Sequence, residues 1–212
     1  MAKTSHKTLI IACGALAKEI LFLKKMLGDA GRSIDLQCLP ANYHNSPDKI
    51  IPGLEKVIAE RGCHYDRILI GYGDCGTGGL LDAFIAKNNL ERLPGAHCYA
   101  FFAGLDAFDA LMEEELGSFF LTDYLVQFFD TLVIKGFGID RHPDLKDIYF
   151  ANYKRVVYLA QTEDLELQEQ AKAAAQTLGL DYEYRFTGYG ALAGVMDKLA
   201  QDKPVLGAPT YV

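Results

Sequence analysis

Short apolar runs alternate with segments of helical period along much of the chain. Runs bounded by glycine, proline or charged residues, typical of buried strands, occur at 8–13, 34–39, 66–71, 155–159 and 181–186. Apolar residues recur every three or four positions, as in amphipathic helices, over 16–27, 48–61, 80–88, 164–178 and 189–201. This alternation predicts an α/β fold with a mostly parallel sheet and crossover helices, and its return near the end of the chain allows two similar α/β halves.

The middle of the chain has a weaker pattern. It predicts a short strand at 90–93, one long helix at 97–116, and a strand at 119–121. Thr122 precedes an apolar-periodic run and is expected to cap a helix reaching 131. Residues 134–148 contain two glycines and a proline and are expected to form a loop or short irregular helices. Since no Ser/Pro/Gly-rich tract separates the halves, a single α/β domain over 1–212 is predicted.

The composition and charge narrow the class of protein. The chain has 212 residues, 50% of them hydrophobic, which is typical of a folded globular protein. With 21 basic against 28 acidic residues and no run of Lys/Arg, we expect no nucleic-acid partner. No apolar stretch reaches the roughly 18–20 residues that a membrane span needs. The N-terminus is polar and lacks a signal-peptide pattern, so we expect a cytoplasmic protein without membrane contact.

The cysteines carry the most specific chemistry in the sequence. There are five, an odd number, and none occurs as C-x-x-C, which argues against a disulfide framework or a zinc ribbon. Cys13, Cys75 and Cys98 each follow a predicted strand and lie beside Gly or His. Because the carboxyl ends of parallel strands meet at one edge of a sheet, these three thiols are predicted to converge. Cys38 and Cys63 are expected to be small packing residues.

Three convergent thiolates with one further position predict a metal site. Zn²⁺ is the first choice, and iron, an iron–sulfur cluster or the cobalt of a corrinoid are the alternatives. His97 is a candidate fourth ligand, ranked below the thiols because adjacent side chains such as those of His97 and Cys98 normally diverge. Two other interpretations stay open. The thiols are either buried packing residues, or Cys13 is a metal-free nucleophile with His44 or His97 as its base.

A glycine-rich turn over 71–79 adds further candidates. Its G-x-G-x-x-G spacing after a strand and before a helix resembles a dinucleotide-binding turn. The candidate cofactor-binding residues are therefore Gly71, Gly73, Gly76 and Gly78. The pattern is weak because it follows the third strand and no acidic residue clearly ends the next strand about 20 positions on, since the nearest candidate, Glu91, comes too early. Asp74 is either a turn-forming residue or a catalytic partner of the neighbouring thiol. His44, at the same predicted edge, is either a loop cap or a substrate or proton-transfer residue.

The sequence resembles the DUF1638 family of bacterial and archaeal proteins. The matching segments are Ala12-Cys13-Gly14-Ala15-Leu16, Leu39-Pro40-Ala41, His44-Asn45-Ser46-Pro47, 71–78, Pro94-Gly95-Ala96-His97-Cys98 and Gly117-Ser118-Phe119-Phe120-Leu121-Thr122. The resemblance implies an association with corrinoid-dependent methyltransferase systems of one-carbon metabolism. It therefore implies a thiol-activating methyltransferase or an accessory factor, with a small-molecule substrate or corrinoid and methyltransferase proteins as partners. The D-x-H-x-x-G pattern of a base-off corrinoid domain is absent.

Overall fold

A computed structural model describes residues 6–205 and has the predicted α/β class. Residues 1–5 and 206–212 lie outside the described range, so the prediction about the polar N-terminus falls largely outside it. The strands are β1 (Thr8–Cys13), β2 (Ile34–Leu39), β3 (Arg67–Gly71), β4 (Glu91–Arg92), β5 (Ser118–Thr122), β6 (Arg155–Ala160) and β7 (Asp181–Phe186). The α-helices are α1 (Ala17–Met26), α2 (Ile50–Arg61), α3 (Leu80–Lys87), α4 (Tyr99–Ala103), α5 (Leu105–Glu114), α6 (Asp123–Gln127), α7 (Asp144–Tyr149), α8 (Leu165–Leu178) and α9 (Gly190–Ala200).

The described chain divides into two compact units. One contains the residues up to Phe101 and those from Ala191 onward, and the other runs from Phe102 to Gly190. Each unit has its own sheet, and every strand pairing in both sheets is parallel. The mostly parallel α/β fold is therefore confirmed, with a parallel sheet in each unit. The single domain over 1–212 stays a prediction.

The first unit is built around a four-stranded parallel sheet in the order β2-β1-β3-β4. All six residues of β1 are buried, as expected for a central strand covered on both faces. Alternate residues of β1, namely Leu9, Ile11 and Cys13, belong to one core cluster that includes residues of α2 and α3. Because strand residues alternate between faces, this cluster marks the face of the sheet on which the Cys13 side chain lies.

Small residues let the ends of neighbouring strands approach closely. A Cβ atom on Gly71, at the end of β3, would lie 2.6 Å from the Cβ of Ala12 in β1. A Cβ on Gly14, just after β1, would lie 3.1 Å from the carbonyl oxygen of Leu39 at the end of β2. The carboxyl ends of β1, β2 and β3 are therefore closely packed, and the loops that leave them start near one another.

The second unit has a three-stranded parallel sheet in the order β5-β6-β7. Thr122 caps α6 as predicted, since its side-chain oxygen accepts a hydrogen bond from the Leu125 amide at 3.3 Å. The buried Asp123 carboxylate accepts hydrogen bonds from the Tyr158 hydroxyl at 2.7 Å and the Gln161 amide at 2.9 Å. A third donor is the Thr162 hydroxyl at 2.6 Å. These bonds satisfy the buried carboxylate and join the ends of β5 and β6.

Two helix predictions in the middle of the chain need correction. The predicted single helix over 97–116 is two helices, because Gly104 has φ +85° and ends α4 before α5 begins. The helix predicted to reach 131 ends at Gln127. Residues 134–148, predicted as a loop or short irregular helices, include the start of the short helix α7, which begins directly after Pro143, since a proline at a helix start loses no helical hydrogen bond. None of the helices within residues 6–205 is long and apolar enough to cross a membrane.

Replacing Gly71 by alanine should destabilise the first sheet, because the added methyl group would overlap Ala12 at 2.6 Å. We expect Gly71→Ala to lower the free energy of unfolding by about 1–3 kcal/mol in urea denaturation. Gly194→Ala in α9 is the control, since its new Cβ would meet nothing within 4 Å. That substitution should raise stability by about 0.5–1 kcal/mol through helix propensity. Equal stability of the two variants would contradict the close packing of β1 on β3.

Candidate functional site

Cys13 is the last residue of β1 and is only 9% exposed. It belongs to the same core cluster as Leu39, the last residue of β2, and Tyr72, which directly follows β3. The chain then turns through a short 3₁₀-helix at Gly14–Leu16 before α1. The sequence therefore places this thiol at the carboxyl edge of the sheet, as predicted, but inside the protein rather than in open solvent.

Cys75 is held by a direct contact between two strand-end loops. Its amide donates a hydrogen bond to the Ala96 carbonyl at 2.8 Å, and the Asp74 amide donates to the Gly95 carbonyl at 3.3 Å. At Gly73 an added Cβ would lie 2.9 Å from the Gly95 oxygen, so only glycine fits where the loops meet. Cys75 itself has φ +49°, a left-handed conformation that is uncommon for residues other than glycine, Asn and Asp. Backbone strain of this kind is concentrated at functional sites.

Cys98 lies just after Gly95 and Ala96, whose carbonyls accept these hydrogen bonds. We call Cys13, Cys75 and Cys98 the thiol cluster. The residue keeps some exposed surface, but its thiol is surrounded by protein. Burial, followed by the nearby Cys75 and Cys13, raises the pKa of Cys98 well above its ordinary value. The predicted convergence of the three cysteines on one edge therefore has electrostatic support.

The other two members of the thiol cluster are also held in the neutral form. Burial raises the pKa of Cys13, although the Ala15 backbone and the neighbouring Tyr72 hydroxyl act to lower it. Burial, followed by the charge of Cys13, raises the pKa of Cys75 to about 11. Buried thiols with raised pKa values are unreactive as nucleophiles, because the thiolate is the reactive form.

Two histidines lie at the same edge. His44 is in the 3₁₀-helix Ala41–Asn45 after β2, and His97 is in the loop that also carries Cys98. Desolvation, followed by the charge of His97, lowers the pKa of His44. Desolvation also lowers the pKa of His97, although Asp74 acts in the opposite direction. Both residues are exposed, so solvent limits this desolvation.

Tyr72, between Gly71 and Gly73, is a feature of the site that the sequence analysis missed. It is 2% exposed, and its hydroxyl has no hydrogen-bond partner among the described residues. Cys13 lies beside this hydroxyl and affects its pKa, but sulfur in a neutral thiol is a weak acceptor and the contact does not meet hydrogen-bond geometry. Burial, followed by the charges of Cys13 and Cys75, raises the Tyr72 pKa. An unsatisfied buried hydroxyl costs about 1–3 kcal/mol. The signal in the sequence was a polar aromatic residue between two glycines directly after a strand.

The glycine-rich turn is held by Asp74. This carboxylate accepts hydrogen bonds from the Thr77 hydroxyl at 2.6 Å, the Gly79 amide at 2.9 Å and the Gly78 amide at 3.1 Å. Desolvation acts to raise the pKa of Asp74, but these hydrogen bonds together outweigh it and lower the pKa. The structure thus supports the turn-forming role of Asp74. A catalytic role for it stays a prediction.

The same hydrogen bonds bear on the dinucleotide hypothesis. The amides of Cys75, Gly78 and Gly79 are engaged within the protein, and the Asp74 carboxylate lies where a pyrophosphate would bind at the start of α3. Phosphate binding would need these bonds to break and a second negative charge beside Asp74. Gly71 packs against Ala12 and Gly73 against the backbone of the loop at Gly95, and a Cβ added to Gly76 would lie 3.3 Å from Pro47 in the loop after β2. These contacts disfavour a dinucleotide and explain three of the glycines by close packing.

The remaining cysteines lie apart from the thiol cluster in different ways. Cys38 pairs with Ala12 in the β1–β2 register, so it lies on the sheet face opposite Cys13. It is half-buried, and burial, followed by the charge of Cys13, raises its pKa to about 11. Cys63 is exposed in a short 3₁₀-helix after α2, so its expected packing role is wrong.

The cysteine side chains of the thiol cluster are not arranged to coordinate a metal ion. Within residues 6–205, no group of three or more His, Cys, Asp or Glu side chains is arranged so that it could hold a metal ion. The thiols are close enough to raise one another's pKa but are not placed as a set of ligands. The predicted ligand set of Cys13, Cys75 and Cys98 with His97 therefore stays a prediction.

Comparison with known proteins gives one match. The sequence profile of a family described as "Protein of unknown function (DUF1638)" matches residues 38–196. Neither a curated protein nor a solved structure matches the chain. Because the matched range is well over half of the 212 residues, the chain belongs to the DUF1638 family. The match includes His44, Cys75 and Cys98, and it begins after Cys13.

Thiol alkylation should distinguish the buried cysteines from the exposed one. In reduced, metal-free protein at pH 8, we expect iodoacetamide to label Cys63 first, since it is exposed. Cys75, with a pKa of about 11, should react slowly, because a raised pKa leaves little thiolate at pH 8. Its rate should rise about tenfold for each pH unit between 8 and 10. Peptide mass spectrometry measures both rates, and equal labelling at pH 8 would contradict the assignment.

The left-handed backbone at Cys75 should be visible in a pair of substitutions. Cys75→Gly should be more stable than Cys75→Ala by about 1 kcal/mol, because glycine adopts φ +49° without steric cost. Cys98 does not have positive φ, so there the alanine variant should be at least as stable as the glycine variant. Urea denaturation of the four proteins measures both differences. The same preference at both positions would show that the effect is not due to backbone strain.

Proposed function

We propose that this DUF1638 protein binds a soft or borderline metal ion, zinc in the first instance, through the thiolates of Cys13, Cys75 and Cys98. The observation that carries the proposal is the mutual effect of these thiols, because Cys13 raises the pKa of Cys75, and both raise the pKa of Cys98. Three buried thiols gathered in this way cannot all ionise alone. A cation of matching softness removes that repulsion and takes thiolates as its preferred ligands.

The chemistry of the donor set fits zinc. Zinc sites commonly combine cysteine thiolates with neutral imidazole, and catalytic sites keep one position for substrate. His97 lies in the loop that carries Cys98, and both His97 and His44 have lowered pKa values. A neutral imidazole is the ligand form, so either histidine can supply a fourth donor without first losing a proton.

Metal binding requires the cysteine side chains to turn toward a common point. Cysteine has a single side-chain torsion before sulfur, and its staggered rotamers place the sulfur in clearly different positions. Backbone atoms of the two loops are already fixed by the Cys75 amide hydrogen bond to Ala96 at 2.8 Å. Rotation within a fixed backbone is therefore the change that the proposal needs.

The metal-free nucleophile is the weaker alternative. A cysteine nucleophile in proteins is activated by a low pKa or by an adjacent base that forms an ion pair with it. Here burial raises the pKa of Cys13, and the pKa values of His44 and His97 are lowered. The Cys13 thiol is therefore neutral at rest and lacks the thiolate of an activated nucleophile.

The role of the site in metabolism is a further part of the proposal. A bound zinc ion would supply Lewis acidity that lowers the pKa of a substrate thiol, the chemistry that methyl transfer to sulfur needs. Around it, the thiol cluster would bind and orient the ion, and the buried surroundings would exclude water. The link to corrinoid-dependent methyl transfer, the methyltransferase and corrinoid partners, and the cytoplasmic location stay predictions. Iron, an iron–sulfur cluster and corrinoid are the alternatives to zinc.

Elemental analysis tests the proposal directly. Protein purified under anoxic, reducing conditions, or loaded with zinc and then desalted, should hold about one metal ion per chain. Cys13→Ala, Cys75→Ala and Cys98→Ala should each weaken binding at least tenfold, since each removes a thiolate ligand. Binding should also release protons at pH 7, because the raised pKa values keep the free thiols protonated.

Two matched substitutions serve as controls for metal content. Cys38→Ala lies on the opposite face of the sheet, and Cys63→Ala is exposed, so both should retain the metal. An ultraviolet–visible spectrum of the purified protein separates zinc, which has no colour, from iron–sulfur or corrinoid. Absence of any metal after zinc loading, or equal loss in the two control variants, would overturn the proposal.

A further inference from the structure

The strand β7 is an edge of the sheet in the second unit. The sheet order is β5-β6-β7, and within residues 6–205 no strand pairs with the side of β7 that faces away from β6. β7 has six residues, contains no proline or glycine, and pairs with β6 over its whole length. By contrast, β4 at an edge of the first sheet has only two residues. A long, regular edge offers a row of backbone N–H and C=O groups to another strand.

Hydrogen bonds at the two ends of β7 fix which backbone groups face outward. The Asp181 amide donates to the Lys154 carbonyl at 3.0 Å, and the Thr187 amide donates to the Ala160 carbonyl at 2.9 Å. Because the backbone groups of successive strand residues point to opposite edges, the odd-numbered residues of β7 bond to β6. The residues whose N–H and C=O groups point away from β6 are therefore Tyr182, Tyr184 and Phe186.

The side chains of β7 alternate between aromatic and charged residues, so one face of the strand is aromatic and the other is charged. On the charged face, Glu183 accepts hydrogen bonds from Arg155 at 2.6 Å and from Arg185. The Arg185 side chain is still 51% exposed, so it can also reach an acidic group on a neighbouring strand. On the aromatic face, Phe186 is 54% exposed at the end of the strand.

An antiparallel second copy of β7 complements this edge in one register. With Tyr184 opposite Tyr184 of the second copy, Glu183 lies opposite Arg185 in both directions. Tyr182 then lies opposite Phe186, an aromatic pair that also occurs twice. Since these even-numbered residues face outward, their backbone groups can exchange hydrogen bonds across the new pair of strands. A register centred on Glu183 or on Arg185 would instead place two like charges opposite each other, which is destabilising.

We propose that β7 is a self-association edge, through which two copies of this chain pair antiparallel about a twofold axis at Tyr184. The two three-stranded sheets then form one continuous sheet, and the same surface serves on both copies, as in most dimers. The symmetric charge pairs select the register, and the backbone hydrogen bonds hold it. A standard interface has about 20–30 residues a side. A strand pair is much smaller, so the dimer dissociates on dilution.

Sedimentation velocity of the whole chain under reducing conditions and at low ionic strength tests this edge. The wild type should change from monomer to dimer between about 1 and 500 µM, as expected for a small interface. Arg185→Glu places like charges opposite each other at both symmetric positions, so it should weaken association at least about tenfold. Arg185→Lys keeps the charge and should still dimerise. Arg141→Glu is the control, since it makes the same charge reversal at a 74% exposed side chain outside β7.

The control variant should associate like the wild type. A wild type that stays monomeric over the whole range, or equal weakening by the two charge reversals, would overturn the proposal.

Amide hydrogen exchange, followed residue by residue by NMR, locates the interface. As the protein concentration rises, the N–H groups of Tyr182, Tyr184 and Phe186 should become protected, because they gain partners in the second copy. Those of Glu183 and Arg185 already face β6 and should not change. Dimerisation without new protection in β7 would place the interface elsewhere and overturn the proposal. Protection of the outward amides at every concentration would show that the same chain covers this edge, which would also overturn it.

Discussion

Two strand-end loops of the first unit touch backbone to backbone, because Gly73 leaves no side chain where they meet. The Cys75 amide closes this contact with its hydrogen bond to Ala96 at 2.8 Å. The position of Cys75 relative to Cys98 depends on it, as does the left-handed backbone of Cys75. The close approach of Gly71 to Ala12 adds the end of β1, and with it Cys13, to the same small area. Thiols from three separate parts of the sequence are thereby confined together.

This confinement determines the electrostatics of the site. Buried thiols that lie close together resist ionisation, and burial is the largest cause of the raised pKa values of Cys13, Cys75 and Cys98. The three free thiols are therefore neutral, and within residues 6–205 the neighbouring Tyr72 hydroxyl has no hydrogen-bond partner. Each of these groups gains a favourable partner if a cation draws the thiols into their ionised form. The same raised pKa values leave little of the thiolate that a metal-free cysteine nucleophile needs.

Much of the fold could be predicted from the sequence, because parallel strands buried on both faces leave continuous apolar runs such as Thr8–Cys13. The topology rule for strand ends then brought Cys13, Cys75 and Cys98 to one edge. What could not be predicted depends on local backbone conformation. Gly104 ends a helix through a positive φ that periodicity does not detect.

The hydrogen bonds and side-chain surroundings of the candidate site could not be predicted from the sequence. The role of Asp74 in its turn depends on which amides point at its carboxylate, and the engaged amides around it are what disfavour a dinucleotide. Tyr72 looks like an ordinary core aromatic until the surroundings of its hydroxyl are known. Cys63 is exposed in a three-residue 3₁₀-helix after α2, a segment too short for a hydrophobic pattern to show which side chain is buried.

The central claim is that three cysteine sulfurs share one ion, and X-ray absorption at the zinc edge of the zinc-loaded protein measures this most directly. The expected result is three sulfur neighbours at about 2.3 Å, with one lighter nitrogen or oxygen neighbour at about 2.0–2.1 Å. A first shell of nitrogen and oxygen alone, or with a single sulfur, would contradict the claim. The thiols of Cys13, Cys75 and Cys98 would then be packing residues at the edge of the sheet.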